Sequence, residues 1–188
     1  MYEKFLSEKV QTIRPSGIRK FFDLASQMEG VISLGVGEPD FDTPWHIREA
    51  AIYSIEEGRT HYTANQGLLE LREEIVSYAK RRFNLDYDPN DNVIVTVGGS
   101  EAIDIAMRAL VNPGDEVILM EPCYVAYTPS VELCGAKPVH IKLEHKDEFK
   151  LTPEKLEAAI TPKSKVMLLN YPSNPTGGVM TKEDYEKI

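Results

Sequence analysis

The sequence predicts an α/β fold, a three-layer sandwich with a mostly parallel sheet, preceded by a short amino-terminal arm. Two observations carry this. From residue 93 onward, short runs of β-branched and aliphatic residues alternate with segments of helical periodicity, the pattern of strands joined by helical crossovers. The runs, such as Val166–Leu169, are also apolar throughout rather than alternating, as strands are when both their faces are covered.

The elements follow in order. The first forty residues are irregular: a polar arm, a helical segment around Ile18–Met28, then Val31-Ile32-Ser33-Leu34 entering a Gly/Pro-rich turn at Gly35–Pro44. Trp45–Glu57 reads as a helix stopped by Gly58. Gly67–Phe83 reads as a second, with Leu68, Leu71, Ile75 and Tyr78/Ala79 on one face. Its basic end, Lys80-Arg81-Arg82, is a solvated last turn that complements the helix dipole. Val93–Val97 is a strand, Ser100–Val111 a helix and Glu116–Met120 a strand. Pro138–Leu143 is another strand, after a segment carrying Pro129. Thr152-Pro153-Glu154 opens a helix with Thr as N-cap and Pro in the first turn, and Val166–Leu169 is a fully apolar strand. Ser164-Lys165, just before it, reads as a solvated turn. Thr181-Lys182-Glu183-Asp184 resembles a capping box. The chain stops at Ile188, within that helix, so we expect a fragment.

Composition narrows the function by exclusion. A formal net charge of -9 opposes a nucleic-acid surface, which needs clustered Lys and Arg. No stretch approaches the roughly 18 apolar residues of a membrane span, and Met1-Tyr2-Glu3-Lys4 begins no signal peptide; the expected location is cytoplasmic. Cys123 and Cys134 are too few and too widely spaced for a zinc site or a disulfide framework, and no metal is expected.

Two segments carry chemistry. Gly98-Gly99-Ser100-Glu101 lies where a strand gives way to a helix, the place where free backbone N–H groups and the helix dipole form an anion cradle. Plain turn and cap chemistry accounts for the same residues equally well. It is neither a dinucleotide fingerprint nor a P-loop, because the glycine spacing and the Gly-Lys-Ser/Thr are absent. Asn170-Tyr171-Pro172-Ser173-Asn174-Pro175-Thr176-Gly177-Gly178 follows an apolar strand directly. Its X-Pro bonds and Gly pair hold an amide side chain rigidly at the carboxyl end of a strand, where α/β sheets bind ligands.

With that loop the sequence resembles the pyridoxal-phosphate (PLP) enzymes of fold type I, specifically the class I/II aminotransferases, and the resemblance covers essentially the whole chain. Gly35-Val36-Gly37-Glu38-Pro39-Asp40-Phe41 resembles the family's Gly-x-Pro-Asp-Phe segment, which implies Gly37 at the substrate carboxylate. His61-Tyr62-Thr63 before Gly67-Leu68-Leu69-Glu70-Leu71-Arg72 is similar to the stretch whose tyrosine reaches the neighbouring subunit's cofactor phosphate. That nominates Tyr62 and implies a homodimer with shared active sites. Pro122-Cys123-Tyr124 matches the position of the ring stacked on the cofactor, where many members carry Trp. Gly99, Ser100 and Glu101 match the phosphate cup, with Glu101 contributing only its main-chain donor. Asn174 is the residue expected at the cofactor's phenolic oxygen and near the substrate carboxylate, and the resemblance puts Ile18 at the side-chain pocket.

The resemblance implies residues 1–44 as an arm and small-domain segment and residues 45–188 as the amino-terminal part of the PLP-binding large domain. It implies a sheet in which the strands 93–97, 166–169 and 116–120 are separated by strands from outside the chain. The implied activity is transamination between an amino acid and a 2-oxo acid, aspartate- or aromatic-type. No catalytic residue is expected here, because the Schiff-base lysine lies beyond residue 188, and the fragment alone is expected to be inactive. A lyase or decarboxylase of the same fold, a ligand-sensing domain and an inert interaction protein are the alternatives.

Overall fold

The computed structural model describes residues 2–13, 17–32, 37 and 39–188. Pro15-Ser16 of the arm, Ser33-Leu34 and the turn residues Gly35, Val36 and Glu38 lie outside the described residues, as does the Ile18 side chain. Contacts divide the chain into two compact units, Met1–Pro15 with Val97–Ile188, and Ser16–Thr96.

The first unit is built on a parallel sheet in which β1 (Glu116–Glu121) lies between β2 (Lys137–Lys142) and β3 (Ser164–Leu168). Glu116 stands opposite Lys137, and Leu119 opposite His140 and Leu168. Successive side chains of a strand point to opposite faces, and β1 uses both. Val117 and Leu119 pack with Met107 and Val111 at the end of α5 (Gly99–Leu110) and with Tyr127 and Val131 of α6 (Tyr127–Leu133). Ile118 and Met120 pack on the other side with Ile141, Leu143, Leu151 and Leu156, the last from α7 (Pro153–Ala159). Helices therefore cover both faces, and the α/β layering is the one the apolar runs predict. Each fully buried aliphatic side chain of β1 contributes about 1.5–3 kcal/mol.

Local chemistry sets the ends of these elements. The Thr152 hydroxyl accepts from the Lys155 N–H at the start of α7, with Pro153 in the first turn. Thr181 and Asp184 cap α8 (Lys182–Tyr185) reciprocally. Glu116, almost wholly buried, ties the amino ends of the strands together. Its carboxylate accepts from Lys137 Nζ at 3.0 Å and Thr161 Oγ1 at 2.6 Å. The Thr161 and Lys137 hydrogen bonds hold its pKa below the ordinary glutamate value.

Three expectations are corrected. Residues 93–97 form no strand: no described strand pairs with them, and Ile94 and Val97 are exposed, so β propensity finds no ladder to join. Ser164 and Lys165 open β3 rather than forming a turn, and Lys165 points outward toward Asp115. β1 and β3 are direct neighbours, not separated. The segment carrying Pro129, given no assignment from the sequence, is helix α6; Pro129 is its third residue, where the missing N–H has no intrahelical acceptor to lose. The arm also contains a short helix, α1 (Glu8–Thr12), capped by Ser7.

The second unit holds α2 (Ile18–Ser26), α3 (Trp45–Glu56) and α4 (Leu69–Phe83). α4 begins two residues later than expected because Gly67 sits in a turn at φ +95°, and a Cβ there would come within 2.7 Å of Val95 Cβ. Arg72 is buried, and its guanidinium donates to the Gly67 carbonyl, Gln66 Oε1 and the Pro89 carbonyl. The basic end of α4 is exposed, with Lys80 paired to Asp86. Among the described residues no helix is long and apolar enough to cross a membrane.

Candidate functional site

The first unit gathers three segments: one opens α5 and two follow strands. Residues 93–97 lead to the turn at Gly98, β1 leads to Tyr124, and β3 leads to the Asn170–Gly178 loop.

Gly98 is at φ +84°, which a side chain would oppose, and α5 starts immediately after it. The N–H groups of Gly99, Ser100 and Glu101 therefore fall in a first turn, where helices leave donors without intrahelical acceptors. A Cβ built at Gly98 or Gly99 meets nothing within 4 Å. The Glu101 carboxylate turns back to accept from the Val97 N–H. The rest of α5 is amphipathic: Ile103 and Met107 face the core, while Asp104 and Arg108 pair at 2.7 Å on the outside.

Tyr124 sits between β1 and α6, with about a third of its surface exposed. Its hydroxyl lies 3.5 Å from Ser100 Oγ, and its ring meets Tyr127 edge to face at 5.7 Å. Cys123 beside it has its thiol pKa pushed up by burial and by Glu121, which keeps it a protonated packing group.

The loop after β3 is closed on itself by the Ser173 N–H on the Gly178 carbonyl at 2.9 Å and the Gly177 N–H on the Ser173 carbonyl at 2.8 Å. The Tyr171 hydroxyl donates to the Phe149 carbonyl at 2.9 Å and accepts from the Leu151 N–H at 3.2 Å. Donors meet acceptors around Asn170 in one amide orientation. Its oxygen then accepts from the Tyr127 hydroxyl and the Asn174 N–H, and its nitrogen donates to the Pro172 carbonyl, each at 3.2 Å. The Asn174 side chain is left exposed.

Of the residues singled out from the sequence, Ser100 and Tyr124 are brought within reach of each other, and Tyr124 and Asn174 are linked through Tyr127 and Asn170. Tyr62 and Gly37 belong to the second unit and are exposed; Tyr62 borders an open depression with Arg59 and His61. Sequence reasoning missed Tyr127 and gave Asn170 no role. The signals were present in the three-residue spacing of Tyr124 and Tyr127 and in the first position of the Pro-locked loop.

A phosphorylated aromatic cofactor needs an anion cradle, a flat ring to lie against and a polar group at its ring oxygen. Gly99–Glu101, Tyr124 and Asn174 have the chemistry for those three tasks within one unit. Pyridoxal phosphate fits this donor set. Among the described residues no three His, Cys, Asp or Glu side chains cluster to hold a metal ion.

Fold and site together define a parallel α/β protein with a Gly-Gly-Ser helix start and a Pro-locked amide loop after its third strand. The chain belongs to the family of class I and II aminotransferases, whose profile matches residues 29–188. It is 59% identical, over 98% of its length, to the putative aminotransferase YugH of Bacillus subtilis, covering 48% of that relative. It is 44% identical, over 97% of its length, to aromatic-amino-acid aminotransferase 2 of Thermococcus litoralis, covering 47% of it. The solved aspartate aminotransferase of Rhizobium meliloti superimposes with a TM-score of 0.89 at 40% identity, over 97% of this chain and 46% of that one. The chain thus spans about half the length of the relatives it matches.

Proposed function

We propose that this chain supplies the cofactor cup of a PLP-dependent aminotransferase that exchanges an amino group between an amino acid and a 2-oxo acid. The observation that carries it is the placing of Gly99–Glu101, Tyr124 and Asn174 in one unit, linked by the Ser100–Tyr124 and Asn170–Asn174 contacts. Bound PLP supplies an electron sink that makes the substrate's Cα proton labile. The first turn of α5 and the Ser100 hydroxyl hold the phosphate, Tyr124 lies against the ring, and Asn174 donates to the ring oxygen and seats the substrate carboxylate. Gly37 and Ile18 serve the substrate side. Tyr62 serves the phosphate of the other subunit in a homodimer. Residues 45–188 belong to the large domain and residues 1–44 to the arm and small-domain segment of a cytoplasmic enzyme.

An aspartate- or aromatic-type substrate is supported by the names of the relatives above. The test is the complete enzyme, loaded with PLP and given aspartate or phenylalanine with a 2-oxo acid acceptor. Amino transfer is expected; release of carbon dioxide or ammonia without transfer would instead identify a decarboxylase or lyase. Asn174→Ala should move the pH titration of the cofactor's visible band by about one to two units, the worth of one charge-assisted hydrogen bond.

A further inference from the structure

Tyr127 is buried, yet it is a tyrosine where phenylalanine would pack as well. A buried hydroxyl needs a partner, and this one finds it in Asn170, the residue that also receives the Asn174 N–H. The ring carrying that hydroxyl is the one against which Tyr124 stands edge to face. One buried side chain therefore touches both the aromatic platform and the amide loop. Next to Asn170, Tyr171 is bonded to the backbone at Phe149 and Leu151, so the first two residues of the loop are both anchored and Asn174 is tied to the first of them through its N–H.

We infer that Tyr127 and Asn170 are positioning residues: they form a relay that sets where Asn174 stands relative to Tyr124. The inference rests on the reading of Asn174 and Tyr124 given above. The Tyr127 hydroxyl is suited to donate permanently, since burial, with Cys123 and Tyr124 beside it, raises its pKa above the ordinary tyrosine value. Asn170 accepts with its oxygen on the Tyr127 side and donates with its nitrogen to the Pro172 carbonyl. Aspartate there could accept but not donate, which is a reason for an amide at this position.

The experiment uses the complete PLP-loaded enzyme and reads the pH titration of the visible band, with the thermal midpoint of each variant as control. Tyr127→Phe keeps the ring and removes only the hydroxyl. It should shift the titration in the same direction as Asn174→Ala but by less, at most about one unit or tenfold in the protonation equilibrium. Asn170→Ala should do likewise, and Tyr127→Phe should add nothing in an Asn174→Ala background. If Asn174→Ala moves the band while Tyr127→Phe and Asn170→Ala leave it in place, the relay is wrong and the reading of Asn174 stands. An undiminished further shift in the double variant also overturns the relay, because Tyr127 would then act independently of Asn174. If Asn174→Ala itself leaves the band unmoved, the assignment of Asn174 fails and the relay fails with it.

Discussion

Replacing Arg72 is the sharpest test of what holds the second unit together. Its guanidinium is buried and donates to three neutral acceptors: the Gly67 carbonyl at 3.3 Å, Gln66 Oε1 at 3.1 Å and the Pro89 carbonyl at 2.5 Å. Gln66 is exposed and can turn to water, so its bond counts little. The two carbonyls lose donors from a charged group, about 1.5–3 kcal/mol each. The arginine regains about 1.5–2 kcal/mol of side-chain entropy when freed. Arg72→Ala should therefore cost about 1–4.5 kcal/mol, read as the drop in unfolding free energy in urea for the complete protein. Arg72→Lys is the discriminating variant. An ammonium is a point charge that cannot span three acceptors in a fork, so Lys should recover less than half of the loss. A Lys variant within about 0.5 kcal/mol of the unsubstituted protein, the ordinary surface range, would refute the reasoning and reduce Arg72 to a generic buried cation.

Other expectations follow from other parts of the chain. Leu119→Ala, at a fully buried position on the central strand, should cost about 2–5 kcal/mol in the same urea assay; a cost under 1 kcal/mol would mean the site collapses around the loss. Glu116 has a lowered folded pKa, so its contribution is complete above the unfolded value of about 4.3 and disappears as pH falls through the folded value. Glu116→Gln should hence destabilise at pH 7, with the difference from the unsubstituted protein shrinking below about pH 4; a gap constant from pH 7 to 3 would contradict this. For Tyr62, heterodimers of a Tyr62→Phe protomer with one lacking the Schiff-base lysine should contain one intact site and show activity, whereas no activity above the parents would place Tyr62 in its own subunit's site. Finally, the 188-residue chain expressed alone should aggregate and show no transamination. Trp45, Ile55, Tyr62 and Val97 are all more than half exposed, and large apolar surface of this kind marks contacts to be made. A soluble monomer with a cooperative thermal transition would contradict it.

The parts of the fold that were legible in the sequence are those decided locally. Val117-Ile118-Leu119-Met120 reads as a two-faced buried strand because every residue is apolar, and Thr152-Pro153 announces α7 through a cap and a proline in its first turn. Residues 93–97 have the same apolar look, but a strand exists only where a neighbour supplies the ladder, and composition says nothing about neighbours. Pro129 hid α6 because proline breaks a helix interior yet is tolerated in a first turn. Lys165 disguised the start of β3, where the side chain is exposed. In the site, the rigid loop and the Gly-Gly-Ser turn were visible as local chemistry. Tyr127 and Asn170 there, and Arg72 in the second unit, were not, because their roles come from burial and from partners distant in sequence, such as Pro89 for Arg72 and Tyr127 for Asn170.

The carboxylate of Glu116 and the proposed cup occupy opposite ends of the same strand. β1 rises about 3.3 Å per residue over the stretch between them, so the six residues Glu116–Glu121 set the tie and the ligand-facing loops well over a hydrogen bond's reach apart. For anyone diversifying this scaffold toward new amino acids, that distance divides the chain into two mutational territories. Libraries at Tyr124, Asn174 and their loops would leave the Glu116–Lys137–Thr161 tie intact. Acid tolerance could be selected at that tie without revisiting the loops, and gains from the two searches should combine nearly additively.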